Sequence, residues 1–411
     1  MLRNDAIIIG AGQAGLAMSR CLSMLGVDHA VLERGRVAER WRSERWDSLR
    51  LLTPNWMSRL PGWSYAGADP DGYMTMPEVT AYLAGYARAS AAPVETDTAV
   101  RAVWRAPVGY RIETGRGIRH ARVVVVATGD CDVPFVPPMA RRVSSALVQV
   151  TPTRYRNARE LPAGGVLVVG ASASGVQLAE EIHRSGRPVA LAVGDHTRLP
   201  RVYRGRDIMA WMERIGILDQ TVRDVRDIAR ARAQPSLQLV GDPARRNIDL
   251  TTLQAQGVRL LGRLVDVADG VLLLADDLDA SVAAAQGTME RMLARIDLAA
   301  DIDGAPREAW PARFAPGTSP TRLDPAAAGI RTIVWATGFR RDYRWLRVPV
   351  LDAAGEIRHD GGVTPVPGLY VLGLRFMRRR RSSFLDGVGL DAAALAADIH
   401  EFLAANGRAS A

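Results

Sequence analysis

Asp5-Ala6-Ile7-Ile8-Ile9-Gly10-Ala11-Gly12-Gln13-Ala14-Gly15 is the stretch that decides the fold. Four apolar residues in a row read as a strand covered on both faces. G-x-G-x-x-G follows at once and opens onto the apolar pattern of a helix over residues 16–25. Its glycines allow a tight turn and let the backbone approach a pyrophosphate, which sits at the positive end of the helix. The next strand, residues 29–32, runs into Glu33-Arg34, about 20 residues on, where an acid bonds ribose hydroxyls. A glycine-rich turn with no ligand is the plainer alternative; strand, turn, helix and acid together speak against it.

Gly170-Ala171-Ser172-Ala173-Ser174-Gly175 repeats the device between a strand at 166–169 and a helix at 176–185. Ser172 replaces the middle glycine; it is small, and its hydroxyl can donate to a phosphate oxygen. The following strand, 189–193, carries no acid at the ribose position, and Arg198, Arg201 and Arg204 come after it. Arginines attract a 2′-phosphate that an acid would repel, so NADPH is expected over NADH. The alternative is that these arginines face solvent.

Apolar runs at 123–126 and 332–335 lead into Ala127-Thr128-Gly129 and Ala336-Thr337-Gly338. The expected fold is therefore α/β, with two Rossmann-like dinucleotide-binding domains in a glutathione-reductase-like arrangement. The FAD-binding domain takes residues 1–150 and 326–411, and an NADPH-binding domain with a helical insertion takes 151–325. Residues 130–165 read as a linker rich in Pro and Arg. Residues 204–310 are mostly helical in pattern with two or three short strands, and 277–302 form an amphipathic helix. The tail holds a strand at 369–372 and a helix from Asp391.

The composition narrows the partners. All 53 basic residues are Arg, and the net charge of +9 favours anionic ligands such as dinucleotides. The arginines are scattered except for Arg378 to Arg381, so nucleic acid is not expected; that run reads most simply as solvated charge. Cys21 and Cys131 form no C-x-x-C, which disfavours a redox disulfide or a zinc site. The six histidines form no metal-like cluster. No apolar stretch approaches the ~20 residues of a membrane span, and no signal segment precedes the first strand, so a cytoplasmic protein is expected. A homodimer is one state the sequence leaves open.

Taken together, the two nucleotide motifs, the two Ala-Thr-Gly strand ends and the run Leu32-Glu33-Arg34 … Trp41-Arg42 … Trp46-Asp47-Ser48-Leu49-Arg50-Leu51 resemble the flavin-containing monooxygenases. The plant auxin-forming, YUCCA-like branch and its bacterial relatives are nearest. Ala336-Thr337-Gly338-Phe339 and Pro367-Gly368-Leu369-Tyr370 are similar to later elements of that family. The resemblance implies that NADPH reduces FAD, that O₂ adds at the flavin C4a, and that the hydroperoxide passes one oxygen to a small nucleophilic substrate (N, S or activated C). It implies FAD contacts at Gly10 to Gly15, Glu33, Arg34, Trp41, Arg42, Thr53, Val100 and Ala127 to Gly129. It also implies that Leu385 and Gly387 lie in a loop close to the flavin. NADPH contacts are expected at Gly170, Ser172, Ala173, Ser174, Gly175, Arg198, Arg201 and Ala336 to Gly338. Asn55 is the candidate contact for activated oxygen, with a turn role after Pro54 as its alternative. The family's linker fingerprint, F-x-G-x-x-x-H-x-x-x-[aromatic or basic], falls on Ser145, Leu147, Thr151 and Tyr155, of which only Tyr155 fits. An NADPH oxidase or reductase without oxygenation, and a flavin-binding protein without turnover, stay open beside the monooxygenase.

Overall fold

The computed structural model describes residues 2–407. The run Ile7-Ile8-Ile9 is covered because both neighbours of its strand are parallel: Leu2–Ile9 lies between His29–Leu32 and Gly117–Val126. Parallel strands in such a position carry apolar side chains on both faces, and Ile7 and Ile8 are fully buried. Each fully buried side chain of this kind contributes about 1.5–3 kcal/mol. The first sheet has eight strands and ends on Leu346–Arg347 and Val94–Glu95. Leu369–Val371 joins it by pairing parallel to Gly117–Val126. The helix Gln13–Met24 packs against the last helix, Val388–Gly407.

The second sheet has five parallel strands, in the order Val148–Val150, Ile330–Trp335, Gly165–Val169, Val189–Ala192, Arg259–Leu261. This corrects the expected boundaries at 150 and 325. Val148–Val150 and Ile330–Trp335 both belong to the second sheet, where they lie beside each other and complete the strand set around Gly165–Val169. The two crossings between units lie nearby, and they pair: Val133–Pro134 runs antiparallel to Phe339–Arg340.

The insertion carries the expected long helix, Leu278–Ile302, with shorter helices such as Ile208–Arg214 and Leu250–Gln256. Its core joins Trp211, Met212, Met289 and Leu293 to Met57 of the first unit, with Trp56 and Phe384 packed against them. The insertion is thus welded to the first unit by apolar contact. Among the described residues, no helix is long and apolar enough to cross a membrane.

Candidate functional site

The two glycine-rich turns have one geometry. Gly10 and Gly170 take φ of +108° and +105°, in the left-handed region that favours glycine. A Cβ at Gly10 would stand 2.7 Å from the Ala127 carbonyl oxygen, and one at Gly170 2.5 Å from that of Ala336. Each turn is therefore pressed against its own Ala-Thr-Gly strand end. A Cβ at Gly15 or Gly175 would collide with the carbonyl of Gly10 or Gly170, so these glycines let helix and strand touch. The helices that follow have no side-chain cap at Gly12 or Ser172. Their first N–H groups are left for a ligand, at the positive end of each helix dipole.

Both turns open into one cavity of about 1050 Å³. Gly10, Gly12, Gln13, Ala14, Glu33, Arg34, Trp41, Thr53, Val100, Ala127, Thr128 and Gly129 line it on one side, with Leu385. Gly170, Ser172, Ala173, Ser174, Ala336, Thr337 and Gly338 line it on the other. Beside Gly12, nothing stands within 4 Å of the place a Cβ would occupy. Glu33 is buried and fixed: one carboxylate oxygen accepts from Ala11 N at 2.7 Å, the other from Gly35 N at 2.9 Å. An open glycine cradle, two uncapped helix ends and an anchored acid suit two dinucleotides.

Several expected contacts lie elsewhere. Arg198 and Arg201 do not reach the cavity. Arg198 is buried and bonds Asp249 and Gln286, each at 3.0 Å. Arg201 is wholly buried and bonds Asp207 and the Leu52 carbonyl. Arg204 pairs with Asp297 and Asp301. The chain after Val193 folds inward, Thr197–Arg198 pairing with Leu237–Gln238, and a guanidinium taken inside needs a carboxylate. Asn55 is also a correction: it is buried outside the cavity lining, where its amide donates to Asp69 O and accepts from Met74 N. Arg42 donates to Val37 O at the surface. Gly387 packs on the Arg381 backbone instead of lining the cavity. Ala11 is buried behind the turn and acts through its N–H on Glu33.

Arg378 to Arg381 is not solvated charge either. Arg380 donates to Gln234 and Gln220, and Arg381 to Asp219 and Asp386. Arg380 and Arg381 thereby fasten the loop that carries Leu385 to the insertion.

Other lining residues escaped the sequence reading. Arg263 follows Arg259–Leu261, the strand next to Val189–Ala192, and stands beside Gly194 and Asp195. It pairs with Asp277 at 3.2 Å and is well exposed. Only the register Ala192↔Leu261 brings it there. Arg45 and Arg375 also line the cavity, and neither has a carboxylate partner among the described residues. Burial pushes the Arg45 pKa down, and burial pushes the Cys131 thiol up against the pull of Arg45 and Arg375. Among the described residues, no cluster of His, Cys, Asp and Glu could hold a metal.

Residues 7–214 match the pyridine nucleotide-disulphide oxidoreductase family. An uncharacterized CzcO-like oxidoreductase of Geobacillus kaustophilus (strain HTA426) is 32% identical, over 96% of this chain and 98% of its own. The chain belongs to the pyridine nucleotide-disulphide oxidoreductase family. It is an oxidoreductase by that membership. A shorter match, 33% identical over 48% of this chain and 49% of the relative, joins it to the indole-3-pyruvate monooxygenase YUCCA1 of Oryza sativa subsp. japonica. Its fold is that of a flavin-containing monooxygenase from Stenotrophomonas maltophilia, with a TM-score of 0.68 at 20% identity over 98% of this chain and 99% of that one.

Proposed function

We propose that this chain is an FAD- and NADPH-dependent monooxygenase that places one oxygen atom of O₂ on a small nucleophilic substrate, at nitrogen, sulfur or an activated carbon. The opening of both glycine-rich turns into one cleft carries the reading, because it gives two dinucleotides a common space. FAD bound there would supply electron transfer and oxygen activation, chemistry that no side chain has.

The chain's own residues bind, orient and keep water out. Glu33 stands where a ribose meets the first turn, and the N-terminus of Gln13–Met24 receives a pyrophosphate past Gly12. Ser172 and the N-terminus of Ala173–Arg184 do the same for NADPH. Leu51, Trp345, Phe384 and Leu385 supply apolar wall, as a site that must exclude water requires. Thr53 is a polar lining group on the flavin side.

The family also includes disulfide chemistry. A dithiol reaction there would need a cysteine pair, and the two cysteines do not form one: Cys131 lines the cleft without a cysteine partner, while Cys21 lies in the first core, its thiol pushed up by burial to about 11. An oxidase that releases only peroxide is the second reading. Its support is Thr151, whose hydroxyl meets Thr153 two residues away instead of bridging the units.

Anaerobic NADPH followed by ¹⁸O₂, with amines, thioethers and ketones as candidate substrates, tests the proposal. Flavin bleaching and ¹⁸O in one product class are expected. Bleaching with quantitative peroxide and no incorporation would replace it with the oxidase.

A further inference from the structure

Arg201 is the largest charged side chain that the fold buries completely. It belongs to the inserted segment, yet its partners lie on both sides of the boundary. Its Nε bonds Asp207 Oδ2 at 2.9 Å, and its terminal nitrogens reach the same oxygen at 2.5 Å and the Leu52 carbonyl at 2.7 Å. The guanidinium lies over the Tyr73 ring, 4.6 Å from its centre, and the Tyr73 hydroxyl donates to the same Asp207 oxygen at 2.7 Å. Asp207 uses its other oxygen to cap Ile208–Arg214 through Met209 N. Leu52 and Tyr73 come from the first unit. Leu52 stands between Leu51 and Thr53, both of which line the cleft. Gly241, again from the insertion, presses on the same corner: a Cβ there would meet Arg50 and Tyr73 side chains at 2.8 and 2.9 Å.

A buried ion pair adds little stability over apolar residues of the same volume, and its attested use is to fix one arrangement. A guanidinium with forked, directional donors does so at a carbonyl better than a greasy contact can. We infer that Arg201 is a positioning residue: from the inserted segment it grips the Leu52 carbonyl and holds residues 51–53, one wall of the cleft, in fixed relation to the second unit. The Thr151 hydroxyl bonds only Thr153, and the linker's own holds on the first unit, Arg156 on the Ser43 and Arg45 carbonyls and Asn157 on Asp47, fall on residues 43–47 and not on this wall. The grip is read from the chain alone; its bearing on oxygen rests on the function proposed above.

The test is amide hydrogen exchange of the FAD-loaded protein, read at Leu51, Asn55 and Met74. Their N–H groups bond Met74 O, Gly72 O and Asn55 Oδ1 within this wall. Arg201→Met combined with Asp207→Leu removes both charges and leaves no lone buried carboxylate. Exchange at the three amides is expected to accelerate about tenfold or more, with Ile7 to Ile9 unchanged and FAD retained. Peroxide released per NADPH should rise several-fold while KM for NADPH hardly moves. Unchanged exchange, or equal acceleration throughout the chain, overturns the inference. Faster local exchange with unaltered peroxide yield also overturns the positioning role, leaving a structural one. If the double variant does not fold, Tyr73→Phe carries the test, since it removes one hydroxyl from the network; about threefold faster exchange at the same amides is expected, and no change overturns it. Failure of the monooxygenase reading looks different: wild-type turnover is all peroxide, while the exchange results stand.

Discussion

At Gly10 and Gly170 the backbone takes nearly the same dihedral and meets the same carbonyl of an Ala-Thr-Gly strand end, yet the next strand ends on Glu33 in one unit and on Val193 in the other. The registers Ile9↔Leu32 and Val169↔Ala192 make these two residues equivalent. Glu33 is buried with both oxygens bonded; Val193 is buried with nothing polar to offer, and the charged groups that line the cavity there are Asp195 and, from beyond the adjoining strand, Arg263. The turn itself answers to helix–strand packing and is the same for any dinucleotide. Which dinucleotide binds is decided by one or two side chains at the ends of neighbouring strands.

The middle position offers the sharpest way to break this comparison. Gly12 faces open cavity, so Gly12→Val should leave the fold intact while filling the space a pyrophosphate needs. FAD affinity should fall by about a hundredfold or more, measured as bound flavin after gel filtration against unchanged circular dichroism. Ser172 already carries a side chain, and its hydroxyl can donate to a phosphate oxygen, so Ser172→Gly should weaken NADPH binding by about tenfold and leave FAD in place. Stoichiometric FAD in Gly12→Val would mean that the first turn is not the flavin's.

A smaller effect is expected at the strand ends. A charged hydrogen bond contributes about 1.5–3 kcal/mol. Arg263→Ala should then raise KM for NADPH roughly tenfold or more and leave NADH nearly untouched. Equal changes with both nucleotides would remove Arg263 from the 2′-phosphate and make its pairing with Asp277 its whole role.

These contrasts also explain what the sequence could reveal. Residues 5–33 and 166–193 were legible because strand, turn, helix and strand are contiguous, and their chemistry is written in a few neighbouring residues. The arginines after Val193 were misread because their partners are remote. Arg198 meets Asp249, and Arg204 meets Asp297 and Asp301; nothing in the local run announces them. Asp207, only six residues from Arg201, was visible, but the burial that unites them depends on Tyr73 and Leu52. Asn55 followed the commoner rule for a polar residue beside proline and bonded backbone. Arg263 was invisible for another reason: Arg259–Leu261 has three residues, too few for a pattern, and only sheet order places its end beside Gly194.

The smallest expected effect compares the histidines of the two units. His29 starts the second strand of the first unit; His196 comes shortly after the corresponding strand of the other. His29 lies between the Val27 carbonyl at 2.9 Å and the Ser19 hydroxyl at 2.8 Å. A neutral ring satisfies both by donating from Nδ1 and accepting at Nε2. Burial pushes its pKa below the ordinary 6.5, and the Val27 carbonyl and Asp28 pull weakly the other way. Burial also lowers the His196 pKa; there the Gly194 carbonyl, Asp195 and Asp249 pull upward, while Arg198 adds to the depression. A depressed folded pKa means that the unfolded chain takes the proton first as pH falls below 6.5. The unfolded state then binds more protons, so stability declines from that point down to the folded pKa. Each glutamine substitution should flatten the fall in melting temperature between pH 7 and pH 5, measured with FAD bound. The two variants should flatten it to a similar degree, because at His196 the Arg198 charge is countered by Asp195 and Asp249. A wild-type protein that melts higher at pH 5, or an unchanged slope in both variants, would show that these two buried rings do not set the acid response.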